Sequence, residues 1–218
     1  MIYSNERKLC LSGWLKENSE ASYNTPLKLQ KFLLLYEAFA KTSGEQPDFS
    51  HLRGYKKGPV FSNVWGDYTK ERAAFNAAAV EAYEAKRDDI NIERAKKCAF
   101  VVNTMTETEL SQLTHKMNLW KSKEPRIMRG EYNVDLYEKD FNEDDKTMIR
   151  LLDEMYPINM IDNFVIINLD KNYFVFSSED SQKLTEEHFD VLMTLAEQEN
   201  LHNPVYVDID VEGRLLVD

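Results

Sequence analysis

The sequence predicts an α+β fold, with a mainly helical region over residues 1–158 and a small ββαββ unit over residues 159–218. Two observations carry the division. Up to residue 158 the apolar residues recur at helical spacing and are punctuated by helix-capping residues. Beyond Pro157 the period becomes that of strands, and the charge balance changes at the same place. Residues 159–218 hold 13 acidic and 3 basic residues, whereas residues 1–158 hold 25 and 24, so nearly all of the net charge of −11 lies in the last quarter of the chain.

The first expected helix spans residues 5–16, with Leu9, Leu11 and Leu15 among charges, and the polar stretch 19–23 reads as a loop. Asn24-Thr25-Pro26 is a helix start, because Pro at the first turn gives up an N–H that has no partner there. That helix runs over 26–42 and stops at Gly44. Its apolar residues cover more than one stripe, so it is expected to be central and packed on two sides. Gly54 and Gly58-Pro59 bracket a short turn with two lysines, and residues 60–68 read as a helix with Val60, Val64 and Trp65 on one side. Seven alanines make 72–87 a helix by propensity. A further helix covers 92–103, and Thr106-Glu107-Thr108-Glu109 is a capping box opening another through Lys116. Asn142 caps a helix over 143–155, with Met148, Leu151, Leu152 and Met155 expected to face inward.

In the last quarter, two apolar runs flank Asp170-Lys171-Asn172 as a hairpin. Thr185 caps a helix to about Glu199, with Phe189, Leu192, Met193 and Ala196 on one face. Residues 205–211 alternate, turn at Glu212-Gly213 and return through 215–217. The alternation sets Asp208 and Asp210 on one strand face and Val207, Ile209 and Val211 on the other. That face is either the wet side of an edge sheet or, with Glu212, an acidic surface for a basic partner.

Hydrophobic residues make up 43% and aromatic residues 11% of the 218, ample for a packed core. Cys10 and Cys98 lie in helical stretches without metal-ligand company and are expected as reduced, buried thiols. No apolar run is long enough to span a bilayer, and charges occupy the place of a signal-peptide core, so the expected location is cytoplasmic with no membrane partner. The acidic balance disfavours nucleic acid as a partner of the tail. His51, His115, His188 and His202 show no zinc-helix spacing, and the Gly54-x-x-x-Gly58 stretch lacks the Lys-Ser/Thr of a phosphate loop. Neither a metal nor a cofactor is expected, and no catalytic residue is assigned. His115 is either a neutral histidine bonded inside its helix or a partner-contacting or catalytic group. Trp65 and Trp120 are either core or binding residues, since aromatic side chains dominate binding hot spots. Lys28, Lys31, Lys56 and Lys57 are expected to border a partner-facing surface, where an otherwise apolar helix meets solvent.

Three segments taken in order resemble one family. They are Lys28-Leu29-Gln30-Lys31 within the helix at 26–42, Gly58-Pro59-Val60 after the two-lysine turn, and Leu110-Ser111-Gln112-Leu113-Thr114-His115 with Trp120 behind it. Together, over residues 1–156, they resemble the Panacea domain, the SocA-like antitoxin family of bacteria and phages. The family's usual aromatic-Ala-Gln run is replaced here by Leu35-Tyr36-Glu37-Ala38, and Asn118-Leu119-Trp120 stands where a Pro precedes the Trp. The ββαββ tail lies outside the family's core domain. The resemblance implies a compact, mainly helical protein that binds and neutralises a toxin, in some members by delivering it to an AAA+ protease. It implies structural roles for Leu29, Gln30, Gly58, Pro59, Val60 and Thr114. A phage-encoded inhibitor of host defence, or an enzyme with a site near His115, are the alternatives. Charge adds the expectation that a toxin partner presents a basic surface.

Overall fold

The computed structural model describes residues 1–198 and 201–218. Helix accounts for 59% of the chain and strand for 14%, which makes it an α+β protein. Asn5 opens α1 (Glu6–Asn18) by accepting the Lys8 N–H. A short helix, α2 (Glu20–Asn24), takes the place of the loop expected at 19–23. Burial explains the difference: Ser22 and Tyr23 are inside, and the Tyr23 ring meets Tyr68 edge-on, so packing overrides weak local propensity.

The central helix, α3 (Pro26–Thr42), keeps its expected bounds, and every residue from Lys28 to Ala40 is buried. Even its one acid is enclosed. The Glu37 carboxylate accepts from Arg7 Nε and Nη2 (2.8 Å each), Lys8 Nζ (2.6 Å) and the Asp48 N–H (2.9 Å), tying α1 and the 46–50 loop to α3.

After α3 come β1 (Leu52–Tyr55) and β2 (Gly58–Phe61), an antiparallel hairpin that turns through Lys56-Lys57. The helix expected from Val60 begins instead at Ser62, as α4 (Ser62–Lys70). Val60 and Phe61 are strand because β1 pairs with them on one side and side chains of α3 satisfy the other. The alanine-rich α5 (Arg72–Lys86) packs against α1. Gly13 makes that approach possible: a Cβ there would sit 2.2 Å from the Ala79 carbonyl oxygen.

Next are α6 (Ile92–Asn103), α7 (Glu107–His115) with the expected Thr106–Glu109 capping box, α8 (Asn118–Lys121) and α9 (Glu124–Met128). The two-residue β3 (Val134–Asp135) pairs with β1, giving the order β2-β1-β3. In α10 (Glu143–Met155) the inner face is narrower than expected. Asp145, Ile149 and Leu152 are buried and Met148 partly so, whereas Leu151 and Met155 are exposed. Asp145 is inside because its carboxylate receives the Asn118 and Leu119 N–H groups at the start of α8.

Past α11 (Ile158–Ile161) the second sheet is built from β4 (Phe164–Leu169), β5 (Asn172–Ser177), β6 (Val205–Ile209) and β7 (Leu215–Val217), in the order β4-β5-β6-β7. The pair β5/β6 is parallel and the others antiparallel. Between β5 and β6 lie α12 (Ser178–Ser181) and α13 (Glu186–Ala196). The helix α13 lies on one face of the sheet and buries Leu192 and Ala196 against Phe174, Phe176, Val205 and Val207. Phe189 and Met193, expected on one face with Leu192 and Ala196, are exposed, since an outer helix on so small a sheet buries only a narrow stripe. The helix ends at Ala196, short of the expected end near Glu199, which is outside the described residues.

The opposite sheet face closes the main core. Phe164 packs on Phe100 (ring centroids 6.1 Å apart) and on Tyr206 (5.8 Å), and Phe100 on Tyr156 (5.1 Å). Asn203 binds Glu109, and Lys28 donates to the Tyr173 hydroxyl (3.0 Å), so polar bonds also cross this junction. Both cysteines are buried free thiols, and burial raises both pKa values.

Candidate functional site

The three resembling segments meet at the β1–β2 hairpin, and each has a physical task there. The outward edge of β2 would otherwise present unpaired backbone groups. Gln30 Oε1 accepts the Phe61 N–H (2.8 Å), and Lys31 Nζ donates to the carbonyls of Lys57 (2.9 Å) and Pro59 (3.3 Å). Pro59 brings no N–H to that edge. Gly58 lies under this clasp with φ +102, and a Cβ there would fall 2.3 Å from Lys31 Nζ and 2.7 Å from Thr114 Oγ1. Glycine is therefore required twice over, for its backbone angle and for space.

The third segment closes the other side. Thr114 is buried and its hydroxyl donates to the Leu110 carbonyl (3.0 Å). The Trp120 indole N–H donates to the Tyr55 carbonyl (2.9 Å), and its ring stacks on His115 at 3.9 Å and 15°. Burial lowers the His115 pKa, and the nearby Lys31 lowers it further. His115 Nε2 is buried without a hydrogen-bond partner among the described residues.

Lys31 and Lys28 do not reach solvent as rim charges; Lys31 lies at the base of a groove and Lys28 at the wall of another. Lys31 is fully buried and Lys28 is 7% exposed, because both stems run through the core and both ammonium groups bind protein oxygens. Burial pushes Lys31 down to about 7 and Lys28 down to about 8. Protonated or neutral, the Lys31 amine has an N–H group for each of the two carbonyls. Trp120, either core or binding on the sequence, is core: it is 1% exposed, and its indole is a hydrogen-bonded strut behind the hairpin.

Above the clasp is a groove of 460 Å³. Pro26 and Leu27 of α3, Tyr55 and Val60 of the hairpin and Trp65 of α4 supply its apolar walls, with Lys31 and Gln30 at its base. Trp65 is 41% exposed. Lys56 and Lys57 stand exposed at the hairpin turn, and neither has an ion-pair partner among the described residues. Glu107 at the start of α7 is the one acid in the lining. The size is that of a site for one or two large side chains. Thus the structure brings Lys56, Lys57, Val60 and Trp65 together at the groove and sets Lys28, His115 and Trp120 behind it or in the core.

The acidic trio of the tail is not part of the groove lining and does not share one strand face. Asp208 is exposed on β6, but β6 ends at Ile209, so Asp210 is in the following turn. Its carboxylate accepts the N–H groups of Glu212 and Arg214 (2.9 Å each) and Arg214 Nε (2.8 Å). Glu212 pairs with Arg214 at 3.0 Å, and Val211, expected on the inner face, is fully exposed.

No protein-family model, curated protein or solved structure matches the chain. The hairpin itself is what sequence reading missed, together with Leu27 and Tyr55 as groove walls. Its signal was present as Tyr55-Lys56-Lys57-Gly58, a turn flanked by alternating residues, but the strands are only four residues long. Among the described residues no cluster of His, Cys, Asp or Glu is placed to hold a metal, and no helix is long and apolar enough to cross a membrane.

Proposed function

We propose that this chain is a protein-binding antitoxin or adaptor that captures its toxin partner at the groove between α3, the β1–β2 hairpin and α4. The observation that carries the reading is Trp65, a half-exposed tryptophan on the wall of an apolar groove whose rim lysines lack counter-charges. Such aromatic anchors in apolar pockets supply most of the energy in protein interfaces. The groups nearest to a reactive constellation support binding over catalysis. Lys31 and Thr114 are occupied as donors to backbone carbonyls. The acidic excess of residues 159–218 favours a partner with a basic surface elsewhere, through steering of the encounter.

Co-expression with the product of the adjacent gene tests the reading. The parent chain is expected to restore growth and to co-purify with that product, and Trp65→Ala to lose both with an unchanged melting temperature. If the neighbour's product is harmless, or is neutralised equally by Trp65→Ala, the reading fails.

A further inference from the structure

The groove also specifies what kind of segment enters it, an inference that rests on the protein-binding reading. We infer that the groove takes an aromatic or leucine side chain from a partner segment whose flanking residues are acidic. Three observations fix this choice.

The first is that strand addition is closed off. Peptides that extend a sheet need an edge with free N–H and C=O groups. On β2 those groups are taken by Gln30 and Lys31, and Pro59 has no N–H to offer. An occupant therefore binds through side chains. The second is the wall chemistry. Pro26, Leu27, Tyr55, Val60 and Trp65 enclose 460 Å³, room for one large apolar side chain and part of a second.

The third is charge. The cations at the rim, Lys56 and Lys57, are on a tight turn that projects them to solvent, and no carboxylate of the described residues neutralises them. Two neighbouring carboxylates are engaged elsewhere. Glu109 is bonded to Thr106 and Asn203, and Asp67 holds the N–H groups of Tyr3 and Ser4. Two nearby acids carry no ion pair: Glu107 lines the α7 end of the groove rather than the hairpin turn, and Glu124, close enough to act on His115, lies outside the lining. Acidic residues flanking the anchor would meet the two lysines, and basic ones would be repelled. The steering term is small per exposed pair but sets specificity.

Selection from a random peptide library displayed on phage, with the intact chain immobilised, tests this. Parallel selections use Trp65→Ala and the double variant Lys56→Glu/Lys57→Glu, each first checked for an unchanged melting temperature. The parent is expected to enrich peptides with Phe, Trp, Tyr or Leu flanked by Asp or Glu. Trp65→Ala should enrich nothing above background. The double variant should bind the parent's best peptide about tenfold more weakly and shift selection towards basic flanks. Neutral or basic flanks from the parent, no enrichment at all, or enrichment that persists in Trp65→Ala would overturn the inference. The two readings fail separately. If the chain co-purifies with its neighbour's product through Trp65 while selected peptides lack acidic flanks, only the acidic-segment inference falls. If acidic peptides are selected and no toxin is neutralised, only the antitoxin reading falls.

Discussion

Lys31 is a buried amine with no carboxylate beside it, and its protonation is set by the core around it. Above pH 7 the folded chain gives up this proton, while the unfolded chain holds it to about 10.5. The unfolded state then binds more protons, so stability rises with pH between 7 and about 9, where the cysteines begin to titrate in the unfolded chain. Lys28 contributes with the same sign. In thermal melts from pH 7 to 9, Lys31→Met is expected to show a shallower rise than the parent. It should also be less stable near pH 9 by about 1–3 kcal/mol, because two carbonyls lose their donor. Equal slopes in the two proteins would show that Lys31 stays protonated. Gly58→Val is expected to cost about 1–3 kcal/mol by chemical denaturation, from backbone strain at φ +102 and from contact with Lys31 and Thr114. An unchanged denaturation midpoint would mean that the clasp relaxes around the added side chain. Gly58 was legible in the sequence as a special backbone position. The burial of Lys31 was not, because a lysine on an apolar helix reads as the point where the helix reaches water, and only the distant backbone of Lys57 and Pro59 reveals otherwise.

For the hairpin, the edge of β2 is the telling feature. A four-residue strand is marginal unless its outer groups are satisfied. Gln30→Leu keeps the volume and apolar character of the site but leaves the Phe61 N–H buried and unpaired. It is expected to destabilise by about 1–3 kcal/mol and to speed hydrogen exchange at Phe61. Unaltered exchange there would assign the edge's stability to packing alone. The long helices were legible because α3, α7 and α10 carry start signals at Pro26, Thr106 and Asn142, and residues 92–103 have helical apolar spacing; the Asn91 cap of α6 emerges only in the structure. The hairpin was hidden because its stability comes from α3 and from Trp120, far away in sequence. The ββαββ order was legible from period and turns, but the inward residues of α13 were overcounted, since period alone does not say how much of a helix its partner sheet can cover.

Across the whole molecule, charge and packing divide differently. The acidic excess lies in residues 159–218, and of the tail's predicted trio Asp208 and Glu212 are exposed and replaceable. Asp210 holds its turn. Neutralising Asp208 and Glu212 as Asn and Gln is expected to slow association with a basic partner severalfold at low salt and to leave the melting temperature unchanged. The difference should vanish as salt is raised. Matching rates at low ionic strength would make the tail's charge irrelevant to encounter. The charge step at residue 159 was legible. That one face of the same segment completes the aromatic core of the helical part was not, because Phe164 and Tyr206 read as ordinary strand residues until Phe100 and Tyr156 are seen opposite them.

That aromatic closure has a consequence for the newborn chain. Phe100 and Tyr156 are synthesised well before Tyr206 reaches the ribosome exit, and translation adds only about 5–20 residues per second. For several seconds the nascent helices carry an unsealed aromatic surface that the finished protein hides. A premature stop between residues 159 and 206 would therefore release a polypeptide with its groove-forming residues intact and a sticky flank open to chaperones, proteases and other nascent chains.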